Sequence, residues 1–277
     1  MTYLTNPDGT YSFTDLVPGE YFVEELPQTN WSKSEPAAAG YTVTISTSGQ
    51  TELLNFGNWR LGALYGMKFR DVNGNGVKDA GELGMGGWTI TLNPGGITTV
   101  TAPDGTYAFS NLVPGIYELT ETMKPGWWQT LPGDTGIQEV FVRSGENLGS
   151  VDFGNFQLGK IVGAKYNDRN KNKRYDPTLG EAGLQGWRIQ LINLQNGQQQ
   201  YTTTGAGGLY EFADLKPGRY LVREVLQPKW IPSNPASGVY NSVSISVSGE
   251  VQTRDFLNYQ ITAPTLPVIT IPTIRRR

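Results

Sequence analysis

The 277-residue chain contains no cysteine and no histidine. Those absences remove thiol nucleophiles, zinc sites, haem ligation and every catalytic triad that uses imidazole as its base. Charge is scarce as well: 17% of residues are charged, the net charge is -3, and the basic residues are scattered. Nucleic acid would demand a concentrated positive face, so it is not expected as a partner. The one basic run, Arg275-Arg276-Arg277, suits a solubilising or processing end. No apolar run approaches the roughly eighteen residues of a membrane helix. The opening Met1-Thr-Tyr-Leu-Thr lacks the basic and apolar regions of a secretory signal, so no address label reports location. What the chain has in quantity is turn chemistry: 35 glycines and 17 prolines in a length too great for one small sandwich predict many short strands in an all-β protein.

Internal repetition sets the organisation. Asp8-Gly-Thr-Tyr-Ser-Phe-Thr-Asp-Leu-Val-Pro-Gly-Glu-Tyr21 recurs at Asp104–Tyr117 and again at Gly207–Tyr220. Each copy closes on a related strand, Asn55-Phe-Gly-Asn58, Asp152-Phe-Gly-Asn155 and Asp255-Phe-Leu-Asn258. The reading is a truncated sandwich at 1–61, complete sandwiches at 62–159 and 160–262, and an extended tail at 263–277. Within a copy, Asp-Gly before the alternating Tyr-x-Phe predicts a hairpin turn and Pro-Gly a type II turn. Tyr117-Glu-Leu-Thr-Glu121 alternates at period 2, and about seven strands per complete copy are expected. Trp31, Trp88, Trp127, Trp187 and Trp230 recur in register with the repeat, which favours core packing over a sugar-binding platform.

Asp71-Val-Asn-Gly-Asn-Gly-Val-Lys-Asp-Ala-Gly-Glu82 places oxygen side chains at positions 1, 3, 5, 9 and 12 of a twelve-residue calcium loop, from Asp71, Asn73, Asn75, Asp79 and Glu82. Gly76 sits at the sharp turn and the Val77 carbonyl supplies a further ligand. The flanks read as strands, not EF-hand helices. A Ca2+ loop with three carboxylates fills most readily at the millimolar calcium outside cells. The third copy keeps Asp168, Asn170 and Asn172, with Arg174 and Asp176 where Val77 and Asp79 stand. Lys173 replaces the turn glycine, and two extra residues precede Glu181, changes expected to weaken or reshape the site.

The first copy lacks the opening strand, the loop and the strand equivalent to Trp88–Leu92, which predicts an open apolar edge. Ile269-Thr-Ile271 repeats the alternation of Ile90-Thr-Leu92 and lies between prolines 267 and 272. Val268, Ile269, Thr270 and Ile271 are therefore expected to act as a donor strand that completes the first sandwich of the next subunit, giving a head-to-tail self-polymer.

The string Lys68-Phe-x-Asp-x-Asn-x-Asn-Gly-x-x-Asp-x-Gly-Glu82, then Gly87-Trp-Thr-Ile, then Asp104-Gly-x-Tyr-x-Phe-x-x-Leu-x-Pro-Gly-x-Tyr117, resembles the SdrD-type B repeat, a calcium-binding relative of the Cna-B module of surface proteins. The resemblance implies tandem prealbumin-like sandwiches in a calcium-rigidified extracellular stalk or filament, and no enzyme. It also implies a trio: Lys68, Glu121 and Asn155 in the second copy, and Lys165, Glu224 and Asn258 in the third, are the residue types from which Cna-B-like modules make an internal Lys-Asn isopeptide bond. That chemistry needs burial, which favours the neutral amine and the acid form of the glutamate. Alternation puts Asn155 with Phe153, and Glu121 with Leu119 and Tyr117, on core-like faces. Lys68 points opposite to Phe69, so a core-facing Phe69 predicts a solvent-facing Lys68. A module that binds a glycan or protein ligand through its aromatics or loops is the alternative function.

Overall fold

The computed structural model describes residues 1–261, built of strands joined by turns and irregular segments, with two short 3-10 turns. The predicted donor strand, Val268 to Ile271, lies outside the described residues. Among the described residues no helix is long and apolar enough to cross a membrane. By contact density the chain forms two units, one of residues 1–68, 84–122 and 137–152, the other of residues 69–83, 123–136 and 153 onward.

The first unit begins with the incomplete copy: β1 (Gly19–Val23), β2 (Trp31–Glu35), β3 (Tyr41–Ile45) and β4 (Gly57–Arg60), paired only as β1 with β3 and β2 with β4. The second copy supplies β5 (Gly62–Arg70), β6 (Thr89–Asn93), β7 (Ile97–Val100), β8 (Thr106–Leu112), β9 (Gly115–Glu121), β10 (Trp127–Leu131), β11 (Ile137–Val142), β12 (Asn147–Leu148) and β13 (Phe153–Gln157). In the first unit these form a sheet in the order β11-β9-β6-β7, and β8 and β12 pair with β5. In the second unit β10 pairs with β13.

The third copy lies wholly in the second unit: β14 (Gly159–Asn167), β15 (Arg188–Asn193), β16 (Gln199–Thr203), β17 (Leu209–Leu215), β18 (Gly218–Glu224), β19 (Trp230–Asn234), β20 (Val239–Ile245), β21 (Val251–Thr253) and β22 (Phe256–Gln260). One sheet runs β16-β15-β18-β20; the other runs β17-β14-β22-β19, with β21 also on β14. Each complete copy thus has nine strands, not seven, one of them a short addition: β12 in the second copy and β21 in the third. Period-2 alternation does what it must: Ile189 and Leu191, Tyr220 and Val222, Val243 and Ile245 are buried on one sheet and meet Ile161, Tyr210 and Phe212 of the other.

Several turn assignments change. The Asp-Gly turn is no hairpin, because β7 belongs with β6 while β8 belongs with β5; the turn carries the chain between two sheets, closed by Ala102 N–H to Thr106 O at 2.9 Å. Pro-Gly is not a type II turn either. Gly115 and Gly218 open β9 and β18 without positive φ, and the left-handed residues are Asn111 (φ 59) and Asp214 (φ 55), beside register shifts against β5 and β14. The Tyr117 and Tyr220 hydroxyls then donate to the Val113 and Lys216 carbonyls, both at 2.8 Å.

In the first copy Tyr11 to Leu16 is not a strand, since the strand that β8 and β17 pair with has no counterpart there. Trp88 and Trp187 are buried as expected, Trp127 and Trp230 are half-buried, Trp230 edge-on to Trp187, and their counterpart Trp31 is 44% exposed.

Candidate functional site

The loop from Asp71 to Glu82 folds around two buried carboxylates, Asp71 and Glu82. Asp71 accepts N–H groups from Gly74, Asn75 and Gly76 at 2.6, 3.2 and 2.7 Å. Glu82 accepts from Val72 and Asp79 at 2.7 and 3.1 Å. Asn73 Oδ1 and Asn75 Oδ1 take the N–H groups two residues on, and both side-chain amides donate to Asp79 Oδ2. Gly74 and Gly76 supply the left-handed turns at φ 72 and 75.

The third copy keeps most of the arrangement, with two shifts: Glu181 takes the N–H of position 3 in place of position 2, and the position-4 N–H of Lys171 goes to the Asp168 backbone carbonyl. Asp168 accepts from Asn172 and Lys173, and Glu181 accepts from Asn170 and Asp176. Asn170 and Asn172 donate to Asp176 Oδ2, and hold its carboxyl below the usual carboxylate value. The two inserted residues are absorbed in the 3-10 turn Pro177–Leu179, after Asp176, with left-handed Gly180 returning the chain to Glu181. Lys171 and Lys173 occupy the positions of Gly74 and Gly76 and keep their left-handed backbone, at φ 59 and 68.

The donor chemistry fits calcium. The candidate ligands are all hard oxygens, and a carboxylate offers about four acceptor sites. Asp71 has used three on N–H groups and Glu82 two, which leaves lone pairs for a cation. Among the described residues no cluster of three acidic side chains stands ready as a metal site by itself. The amide oxygens of Asn73 and Asn75 and the Val77 carbonyl would have to complete the set, with Asn170, Asn172 and Arg174 in the same places in the second loop.

A second constellation lies in the interior. Lys165 and Asn258 stand on the adjacent parallel strands β14 and β22, and Glu224 ends β18 in the facing sheet. Lys165 Nζ is 3.1 Å from Glu224 Oε2, and Asn258 Nδ2 donates to the same oxygen at 2.8 Å. Both Lys165 and Asn258 are 0% exposed, and Trp187 roofs the ammonium at 4.6 Å. Burial lowers the Lys165 ammonium to about 8 and raises the Glu224 carboxyl. Asn258 Oδ1 is buried without a hydrogen-bond donor.

In the first unit Lys68 and Glu121 form the equivalent ion pair at 3.0 Å, both side chains fully buried, with Trp88 at 4.8 Å from the ammonium. The expectation that Lys68 faces water is therefore wrong. Alternation holds, but both faces of the strand are covered: Phe69, also 0% exposed, packs closely on Gly154 and under Lys78 of the 71–82 loop. Asn155 is likewise 0% exposed, in the second unit. The first copy, with no lysine strand, still joins Asn58 Nδ2 to Glu25 Oε2 at 2.7 Å.

The sequence profile of the SdrD B-like domain matches residues 63–150 and 157–260. The chain is 29% identical over 227 residues to serine-aspartate repeat-containing protein D of Staphylococcus aureus (strain Newman), which covers 76% of this chain and 16% of that protein. It is 28% identical over 291 residues to Colossin-A of Dictyostelium discoideum, covering 92% of this chain and 2% of that protein. A streptococcal ancillary pilin structure aligns at 17% identity over 87% of this chain and 76% of its own, with a TM-score of 0.34. The chain thus spans a small part of the curated relatives it matches. With the profile covering both complete copies, the chain belongs to the SdrD B-like domain family.

Proposed function

We propose that this chain is a non-enzymatic, load-bearing segment of an extracellular stalk or filament, whose two complete sandwiches each hold calcium and close an internal Lys-Asn amide bond. The observation that carries the reading is the fully buried Lys165–Glu224–Asn258 trio. A lysine in the interior without a reaction to undergo is a large and pointless desolvation cost. Placed against a glutamate that burial drives toward its acid form, the neutral amine is a nucleophile and the carboxyl a general acid.

The step balances simply. Lys165 Nζ attacks Asn258 Cγ, with the side-chain amide turned so that Oδ1 faces the protonated Glu224. The tetrahedral intermediate expels Nδ2, which leaves as ammonia with the protons relayed through Glu224. The product is a neutral secondary amide and a glutamate restored to its starting state. By sequence correspondence, Lys68, Glu121 and Asn155 are the matching residues of the second copy. Asp71, Asn73, Asn75, Val77, Asp79 and Glu82, and their counterparts in the third copy, would hold calcium in each loop and tie it to the strand that bears the lysine.

Intact mass spectrometry tests the reading. Each bond removes one ammonia, about 17 Da, so the chain should weigh about 34 Da less than its sequence. An unreduced mass would refute the covalent part. Self-assembly by strand donation is the further component and rests on the sequence of residues 268–271. Filaments that form equally well after deletion of residues 263–277 would refute it.

A further inference from the structure

The calcium loop of the second copy does more than wrap its own carboxylates. Within the second unit, the turn Ser248-Gly249-Glu250 of the third copy sits against the end of β13 and the start of that loop. Gln157 N–H donates to Ser248 Oγ at 2.8 Å and Gly249 N–H donates to Gln157 O at 2.8 Å. Ser248 N–H then donates to the carbonyl of Val72, position 2 of the loop, at 2.8 Å. Arg70, one residue before the loop, donates from Nε to Ser248 Oγ at 3.1 Å and from Nη2 to Ser248 O at 2.5 Å. Ser248 is only 4% exposed, so a small polar side chain in a turn is held from every side.

Apolar contacts reinforce the same joint. Phe156 of the second copy is a fully buried member of the third copy's core, and Trp128 packs beside it. Lys216 lies 4.5 Å above the Trp128 ring. Gly74, position 4 of the loop, is so close to Pro217 that a Cβ there would come within 2.4 Å of its ring.

A second instance shows which part is general. In the first unit the turn Ser144-Gly145-Glu146 takes the end of β4 in the same manner, with Arg60 N–H to Ser144 Oγ at 2.9 Å and Gly145 N–H to Arg60 O at 2.9 Å. The Ser-Gly-Glu turn is therefore a repeated docking element for the strand that leaves the preceding copy. The first copy has no calcium loop, and the contacts made by Arg70, Val72 and Gly74 have no equivalent there.

We infer that residues 70–74 and the Ser248–Glu250 turn form a metal-set joint, in which calcium in the loop at Asp71 fixes the third copy against the second. The inference rests on the calcium reading above. The physical link is short: Asp71 gathers the N–H groups of Gly74 and Gly76, and Glu82 holds the N–H of Val72, the residue whose carbonyl grips Ser248. A cation that draws Asp71 and Glu82 together fixes that carbonyl and the Gly74 turn at once, whereas carboxylates that repel one another loosen both.

The chain has no cysteine, so two can be introduced cleanly. Spin labels at Asp134→Cys and Gln200→Cys, both exposed and both in the second unit, report the joint by pulsed electron paramagnetic resonance. With calcium the distance distribution should collapse to one narrow component, and with chelator it should broaden. In the Arg70→Ala/Ser248→Ala variant, which leaves every proposed ligand in place, calorimetric titration should still show calcium binding but the narrow component should be lost. Ser248→Ala alone is the milder form should the double variant misfold. A variant that narrows as the parent does would overturn the inference. So would a parent that binds calcium without narrowing, and in that case the calcium reading would survive. A chain that binds no calcium would remove both.

Discussion

Glu224→Gln is the sharpest perturbation of the buried trio, because it keeps shape and hydrogen-bonding capacity while removing the acid and the charge. Lys165 and Asn258 lie roughly a hundred residues apart, and a cross-link closing a loop of that size is worth about 4–5 kcal/mol through the unfolded chain's lost entropy. For a domain near a hundred residues each kcal/mol moves the midpoint by about 4–8 °C, so loss of the bond should lower the third copy's melting by about 15–40 °C. Lys165 would also be left buried with no counter-charge, which adds to the loss. The assay is intact mass beside differential scanning calorimetry. The variant should lose one ammonia instead of two, and one of two calorimetric transitions should fall while the other stays. A variant that keeps the full mass deficit, or a mass change without a thermal one, would refute the reasoning.

The bond should form over a pH plateau. Amine attack with a protonated carboxyl is a tautomer of the ion pair, so the rate is flat while the site holds one proton; it should fall above about 8, where Lys165 gives up its proton, and below the raised Glu224 value, where both groups are protonated. Refolding from denaturant at graded pH, quenched and weighed, reads this, and a rate that keeps rising past the plateau would contradict it. In Asn258→Ala, where no bond forms, the sign of linkage is set by a lysine depressed from 10.5 to about 8: the unfolded chain binds more protons between those values, so stability should rise with pH there, measurable by denaturant titration. Calcium at a hundred times its dissociation constant should stabilise the folded chain by about 2.7 kcal/mol per site relative to chelator. Lys173→Gly should relieve a left-handed lysine and stabilise the third copy by about 1 kcal/mol, with tighter calcium binding by calorimetry.

The parts of the fold legible in the sequence are those with a local rule. Position-specific oxygens and left-handed glycines announce the loop at Asp71 before any tertiary contact exists, and period 2 announces which residues of β9 and β18 turn inward. The burial of Lys68 was not legible. Alternation says only that Lys68 and Phe69 face apart, and the second face is covered by the 71–82 loop folding back through Lys78 and by Gly154, which is distant in sequence. The Asp-Gly turn misled for a related reason: turn chemistry reports a reversal of the chain, while the choice of pairing partner belongs to the sheets. Nor does Ser248 advertise itself, because a serine before glycine suits any turn; only its recurrence as Ser144-Gly145-Glu146 hints at a shared task.

A sandwich with no cysteine has few ways to lock strands that are far apart in sequence, and the trio shows what such a lock demands. As an ion pair, Lys165 and Glu224 are a liability: burial shifts each toward its neutral form, so the folded state works against both charges. As an amide, the lysine would be neutral for good, the Asn258 carbonyl would be retained and could accept from the protonated Glu224 carboxyl, and β14 would be tied to β22 beside the loop that begins at Asp168. The backbone already prepares that junction, since Asp168 N–H donates to the Asn258 carbonyl at 2.8 Å. The proposed bond and the proposed metal loop would therefore act on the same strand ends. A covalent tie would resist separation of β14 from β22, while the loop would hold the strand exit at Asp168 in place.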